Sequence, residues 1–120
     1  MKKTVILLFL IFITASCEKL GSGTTYWKIA STMYESPDTG KCYLYKDLGL
    51  EMSNDPQWKL LWILNGFDYE EGHEYIVKMR WVNYKGKCTE FHYVSTYSKI
   101  EADTEVSPED INLLLGDICY

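Results

Sequence analysis

The chain has 120 residues, of which 12 are Lys or Arg and 17 are Asp or Glu, so its formal net charge is −5 at pH 7. This length accommodates one domain, because two separate cores would each bury too little apolar surface. It also excludes a multi-span membrane protein and a large multi-substrate enzyme. The acidic balance argues against a nucleic-acid-binding protein, since that function needs a basic surface to neutralise phosphates.

The first 16 residues have the pattern of a secretory signal peptide. Lys2 and Lys3 are positively charged, and the uncharged run at 5–13 is too short to span a bilayer as a helix. Small residues then precede Cys17, and this ending resembles the lipobox of bacterial lipoproteins, in which the Cys becomes the diacylated N-terminus after cleavage. Thr14 stands where the lipobox usually has Leu, so cleavage by an ordinary signal peptidase is the alternative.

Lipidation of Cys17 would anchor the protein in the bacterial cell envelope. The outer membrane is favoured, with the domain in the periplasm or at the cell surface. Removal of residues 1–16, which contain Lys2 and Lys3, leaves 104 residues and changes the formal net charge from −5 to −7. Residues 17–25 are then predicted to form the lipid anchor and a Gly- and Ser-rich tether, and residues 26–120 a single small domain.

The first half of this domain predicts two strands separated by a turn. In YWKIASTMY at 26–34, the residues Trp27, Ile29 and Met33 recur with the period of two that is typical of a half-buried strand. The segment SPDTG at 36–40 is a dense turn signal. CYLYK, which begins at Cys42, then returns as a short second strand.

A short helix is predicted next. Asp55 is a suitable N-cap and is followed by Pro, which is tolerated in the first helical turn. Trp58, Leu61 and Trp62 have the spacing that places them on one helix face. The alternative is a strand, because Trp58, Leu60 and Trp62 also alternate.

The longest strand signal is HEYIVKMRWVNY at 73–84, in which apolar residues alternate with polar or charged ones. KGK at 85–87 predicts a hairpin turn, after which the segment 89–100 pairs back.

The C-terminal segment predicts a second short helix. Ser107 is a suitable cap, Pro and two acidic residues follow in the first turn, and Gly116 provides the stop. The fold class is therefore α+β and strand-dominated. We expect a small bent antiparallel sheet or a partly open OB-like barrel, because a small flat sheet would leave long edges unprotected.

The segment GFDYEEGHEY at 66–75 resembles the signature of the domain of unknown function 4377 family, and the likeness spans about residues 27–100. Those are small domains of bacterial envelope lipoproteins, sometimes fused to META-type heat-shock domains, and the resemblance implies a fold and a location but no activity. The matching positions are Gly66, Phe67, Tyr69, Glu70, Gly72 and Tyr75.

The signature also has a structural interpretation. Gly66 and Gly72 are predicted to occupy turn positions with positive φ, which favour glycine. The three aromatic residues would anchor the flanking segments. Glu70 is expected to accept backbone N–H groups in the turn rather than to act in catalysis.

No residue pattern predicts a metal site, a cofactor or an enzyme. His73 and His92 are the only histidines, and the chain lacks the HxH, HExxH and CxxC spacings. Nucleophile motifs and a glycine-rich phosphate loop are also missing. The acidic cluster of Glu70, Glu71 and Glu74 is interpreted as a solvated turn.

Aromatic residues carry the binding hypothesis. Sixteen of the 18 aromatic residues follow the signal peptide, 10 of them Tyr, and a core of this size holds only part of them. Tyr43 and Tyr45, which alternate with Leu44, are therefore candidates for a ligand surface, since Tyr rings bind sugars and peptides at low entropic cost. The alternative is that they pack against the C-terminal helix or the tether.

Once Cys17 is acylated, three cysteines remain in an oxidising compartment. This odd number predicts one disulfide and one further thiol. The possible partners are Cys42, Cys88 and Cys119, and sequence alone leaves the pairing open. The resemblance favours a bridge from Cys42 to either of the others, because its counterpart in the family is a bonded Cys whose local partner this chain lacks.

Three classes of function are compatible with these features. A lipid-anchored envelope accessory or binding module is favoured, with an envelope protein or a glycan as its partner. The alternative is a structural or stress-protective envelope lipoprotein without a small-molecule ligand, in line with the META association of the resembling family. A small hydrolase is disfavoured because no catalytic constellation is visible.

Overall fold

A computed structural model describes residues 21–37, 40–84 and 88–113 of the chain, together with the backbone of residues 19–20 and 118–119. Strands dominate this part of the chain. In order they are β1 (Lys19–Ile29), β2 (Tyr34–Ser36), β3 (Gly40–Gly49), β4 (Trp58–Leu61), β5 (His73–Tyr84), β6 (Thr89–Glu101), β7 (Ile111–Asn112) and β8 (Ile118–Cys119).

The described strands form one open, mixed sheet in the order β7-β4-β3-β1-β5-β6-β8, and β2 pairs with β3. The pairings are antiparallel except for β4 with β7 and β6 with β8, which are parallel. The strand-dominated character predicted from the sequence is confirmed. An OB-like barrel is not confirmed, since β7 and β8 stand at opposite edges of the described sheet.

β1 both begins and ends earlier than the strand predicted at 26–34, since it ends at Ile29 and Tyr34 belongs to the separate strand β2. β1 begins at Lys19, and its first half pairs with β5. Residues 19–25, predicted to form a tether, therefore belong to the sheet as far as their backbone is described. Gly21 and Gly23 would weaken an isolated strand, but the indole of Trp81 on β5 lies over them. This stabilisation comes from a neighbouring strand, which a local pattern does not reveal.

The helix predicted around Trp58 is wrong, and this segment is strand β4. One edge of β4 pairs with β3, where Leu61 lies opposite Tyr43. The other edge of β4 pairs with β7, where Trp58 lies opposite Ile111. Trp62 follows the end of the strand and has an exposed fraction of 38%. Pairing on both sides therefore outweighs the helical spacing of the apolar residues.

The predicted C-terminal helix is also wrong in the described residues. Only one 3-10 turn forms, at Pro108–Asp110, with the Asp110 N–H donating to the Ser107 carbonyl at 2.9 Å. The chain then enters β7, where Ile111 packs against the apolar cluster around Trp58. The predicted stop at Gly116 lies outside the described residues, as does the predicted hairpin turn at 85–87.

Two hydrophobic clusters cover opposite faces of β3, because successive residues of a strand point to opposite sides. The larger lies where β1, β3 and β5 meet, with the segment 62–72 packed over it. Its buried members are Trp27, Ile29, Tyr45, Leu61, Phe67, Tyr75, Val77 and Met79. The smaller contains Ala30, Leu44 and Trp58, with Val106 and Ile111 against it.

Gly66 and Gly72 have the positive φ values that the sequence predicts, +84° and +87°. The turn at Gly72 also joins distant parts of the chain. Its N–H donates to the Ser31 carbonyl at 2.9 Å, and its carbonyl accepts the Ala102 N–H at 3.1 Å. Glycine is thus required for the backbone conformation of this turn.

The aromatic residues of the same signature anchor the 62–72 segment. Phe67 and Tyr75 are buried, and the Tyr69 hydroxyl donates to the Ala30 carbonyl at 3.1 Å. Burial raises the pKa of Tyr69 to about 12. Because this pKa exceeds that of the unfolded chain, the neutral phenol contributes stability that is complete below about pH 10. That contribution is lost as the pH rises from about 10 towards 12.

Replacing Tyr69 with Phe removes this hydrogen bond and this titration together. We expect Tyr69→Phe to lower the free energy of unfolding by about 1 kcal/mol at pH 7. The variant should also lose less stability than the parent between about pH 10 and 12. Urea unfolding at pH 7 and between about pH 10 and 12 measures both effects. If the free energy of unfolding of Tyr69→Phe falls with pH as steeply as that of the parent, the role given to Tyr69 is contradicted.

Candidate functional site

Tyr43 and Tyr45, proposed above as a ligand surface, lie in the larger cluster. Tyr45 has an exposed fraction of 3% and packs against Trp27, with ring centroids 4.3 Å apart. Tyr43 is half-buried between Phe67 and Tyr69. The ligand-surface hypothesis is therefore wrong for Tyr45, and it stays a prediction for Tyr43. The sheet face that they occupy is covered by the 62–72 segment, a contact that links residues distant in the sequence.

The acidic cluster is distributed over separate ion pairs. Glu70 Oε2 lies 2.8 Å from Lys99 Nζ, and Glu71 and Glu74 lie 3.7 and 3.5 Å from the ammonium groups of Lys41 and Lys28. The hydrogen bond from Lys99 holds the pKa of Glu70 below its usual range. The prediction that the Glu70 side chain accepts backbone N–H groups is wrong. The side chain instead accepts a hydrogen bond from the Lys99 ammonium group on β6.

The two histidines are not close to a set of metal ligands. His73 Nδ1 lies 3.8 Å from Glu70 Oε2, and His92 Nε2 lies 3.4 Å from Glu90 Oε2 on its own strand. Within the described part of the chain, no group of three or more His, Cys, Asp or Glu side chains is arranged to hold a metal ion.

The preferred bridge from Cys42 is also wrong. The Cys42 side chain is a buried thiol whose Sγ lies 3.9 Å from the Gly40 carbonyl oxygen. Cys88 directly precedes β6, and the backbone of Cys119 pairs beside Glu90 on that strand. Cys17 and the signal peptide lie outside the described residues.

One candidate site among the described residues is an open groove of about 860 Å³. It continues the sheet face of the larger cluster, because residues two apart in a strand share a face. Thr25 follows Trp27 along this face of β1, and Trp81 follows Met79 along β5. The 62–72 segment covers one end of the face, and the groove occupies the other.

The floor of the groove carries polar groups that are already held in place. Asp47 Oδ1 accepts the Thr25 hydroxyl and also the Gly49 N–H, at 3.0 Å. The Thr89 hydroxyl donates to Asn83 Oδ1, which directs the Asn83 amide nitrogen elsewhere. These bonds fix one carboxylate and one amide group beside the aromatic side chains of Trp81 and Phe91.

Residues 49–56 form a wall of the groove and are anchored to the sheet. The Met52 N–H donates to the Gly49 carbonyl at 3.3 Å, and the Asn54 N–H donates to the Leu48 carbonyl at 3.1 Å. Asp55 Oδ1 lies 2.8 Å from Lys46 Nζ, and this ion pair lowers the pKa of Asp55. The wall is therefore ordered before any ligand binds, which reduces the entropic cost of binding.

The position of Trp81 depends on the absence of a side chain at Gly23. A Cβ at Gly23 would lie 2.6 Å from Trp81 Cζ2, whereas a Cβ at Gly21 would lie 3.9 Å from the nearest atom of the ring. The first distance is a clash and the second an ordinary contact. Gly23 therefore sets where the indole enters the groove.

We expect Gly23→Ala to displace the indole and to lower the free energy of unfolding by about 1–3 kcal/mol, as overpacking does. Gly21→Ala is the matched control and should leave both stability and indole position near those of the parent. Thermal unfolding and near-UV circular dichroism measure the two effects. Equal melting temperatures and equal near-UV spectra of the two variants would contradict the close packing of the Trp81 indole over Gly23.

No local sequence pattern reveals the groove, because its residues come from four separate segments of the chain. Thr25, Asp47, Trp81 and Asn83 are brought together only by the pairing of β1 with β3 and β5. One local signal exists, since Gly21 and Gly23 recur with a period of two in the segment predicted to be a tether.

Comparison of the chain with protein-family models, curated proteins and solved structures finds no match. The resemblance to the domain of unknown function 4377 family therefore stays a prediction based on the residues quoted above. Among the residues that the structure describes, no helix is long and apolar enough to cross a bilayer.

Proposed function

We propose that the protein is a lipid-anchored accessory module of the bacterial cell envelope that binds a ligand in this groove. One observation carries the proposal: a single sheet face is closed over a core at one end and open at the other. The open end presents ordered polar side chains beside an indole. Its volume and its few fixed polar groups are compatible with ligand binding.

The envelope location is supported by the sequence. The signal peptide pattern and the lipobox-like ending support lipidation of Cys17, and the segment 66–75 resembles a family of envelope lipoproteins. We expect Cys17→Ser to leave unprocessed precursor without a covalently bound acyl group. Mass spectrometry and detergent phase partitioning measure this. Mature, wild-type protein that partitions into the aqueous phase would contradict the anchor.

We infer that the module binds its ligand without chemical conversion. Two carboxylates line the groove, but Asp47 is held by Thr25 and the Gly49 N–H, and Asp55 pairs with Lys46. General acid catalysis requires a carboxyl group with a raised pKa, whereas the hydrogen bond from Lys46 lowers the pKa of Asp55. These contacts support a binding role over a hydrolase.

Photo-crosslinking in native membranes tests the proposal. The full chain, with Cys17 intact, is produced with p-benzoylphenylalanine at Ser53 in the groove wall, and separately at Ser95 as a control. Ser95 is exposed and pairs opposite Lys78, so it lies on the other sheet face. We expect Ser53, and not Ser95, to yield one dominant adduct of defined mass.

Two results would contradict the binding module. Equal adducts from both positions would show contact without a groove-specific ligand. No adduct from either position, in a protein that is acylated and folded, would favour the alternative of a structural or stress-protective lipoprotein.

A further inference from the structure

We infer that the groove binds an uncharged oligosaccharide, an inference that rests on the proposed binding function and specifies its ligand. The argument comes from the chemical character of the groove, from its charge and from its position on the sheet. The charge and the position each disfavour a different class of ligand.

The groove combines apolar surface with closely spaced hydrogen-bonding groups. Trp81 and Phe91, directly opposite each other on β5 and β6, supply the apolar part. Asp47, Asn83 and Thr89 supply a carboxylate, an amide and a hydroxyl within the same groove. A sugar ring matches this combination, because its C–H groups pack against an aromatic ring while its hydroxyls donate and accept hydrogen bonds.

The charge of the groove disfavours an ionic ligand. Its carboxylates are Asp47 and Asp55, and both are engaged within the protein, Asp47 with Thr25 and Asp55 with Lys46. Lys59 is the one basic side chain among the lining residues. A phosphate-rich or other polyanionic ligand needs several cations, and a polycation would need carboxylates that are not already paired.

The position of the groove disfavours an extended peptide. Peptides that bind to sheets usually pair with an exposed edge strand, where backbone N–H and C=O groups are available. The groove lies on a sheet face, over β1, β5 and β6, which are already paired with one another. Recognition here therefore depends on side chains, which suits a ligand that is itself rich in hydroxyl groups.

Titration of the full-length chain, purified in detergent, with three neutral hexasaccharides tests the inference. The probes are cellohexaose, maltohexaose and hexa-N-acetylchitohexaose. Isothermal titration calorimetry measures their binding. We expect saturable binding of at least one probe and its recovery intact after incubation. Trp81→Ala should raise Kd at least about tenfold, as loss of a central aromatic contact does. Trp62→Ala is the matched control, since Trp62 does not line the groove, and should leave Kd unchanged.

Asn83→Ala provides a second groove variant if Trp81→Ala fails to fold, and it should also raise Kd. The inference is overturned if no hexasaccharide binds, or if groove variants with parental circular dichroism spectra bind as the parent does. A Ser53 adduct that contains no sugar, together with absent hexasaccharide binding, would overturn the inference while leaving the proposed binding module intact.

Discussion

Replacing Leu61 with Ala is expected to lower the free energy of unfolding by about 2–5 kcal/mol, the usual cost of removing a fully buried leucine side chain. Leu61 has an exposed fraction of 2% and lies in the larger cluster, where β4 pairs with β3. The 62–72 segment cannot collapse freely into the resulting cavity because its Phe67 already packs edge to face against Tyr75, with ring centroids 4.9 Å apart. Urea unfolding followed by circular dichroism measures the change.

Trp62→Ala is the control that separates a strand from a helix in this segment. In a helix, Trp58, Leu61 and Trp62 would share a buried face, and truncating the larger Trp62 would cost more than truncating Leu61. In the observed strand, Trp62 lies past the end of β4 and is partly exposed. We expect Trp62→Ala to cost clearly less than Leu61→Ala, and the reverse order would contradict the assignment of β4.

Gly72→Val is expected to lower the free energy of unfolding by about 1–3 kcal/mol, because a β-branched residue resists positive φ. No atom lies within 4 Å of a Cβ built at this position. The cost therefore comes from backbone strain and not from a clash. Loss of the left-handed conformation would also disturb the hydrogen bonds of Gly72 to Ser31 and Ala102. Gly66→Val should behave similarly, since its φ is also positive.

The matched control is Gly72→Asn, because Asn tolerates the left-handed region better than other residues with a Cβ. It should retain more stability than Gly72→Val at the same site. Thermal unfolding of the three variants measures these differences. If both Val variants keep the melting temperature of the parent, glycine is not required at these two positions.

Local patterns were sufficient for the strands whose two faces differ. The bounds predicted for β5 match those observed, because apolar residues such as Val77 and Met79 alternate with Lys78 and Arg80. The same holds for the positive φ at Gly66 and Gly72, where the residue type directly reflects a backbone requirement.

Segments stabilised by distant partners could not be predicted in this way. Both predicted helices had suitable caps, yet β4 is held by β3 and β7, and Ile111 is held by β4. The groove is a stronger example of the same effect. Trp81 follows the alternating pattern of β5, and only the pairing of Gly23 with Trp81 shows why its indole lies beside a groove.

Indole N–H resonances provide the most direct test of the groove as the binding site. The chain has four tryptophans, and the structure places Trp27 in the larger cluster, Trp58 in the smaller one, Trp62 past the end of β4 and Trp81 in the groove. Nitrogen-15 spectra of the full-length protein in detergent are recorded while a hexasaccharide from the panel is added. We predict a saturable shift of the Trp81 indole signal, with those of Trp58 and Trp62 unchanged. A saturable shift at Trp62 with none at Trp81 would place the binding site elsewhere and contradict this account.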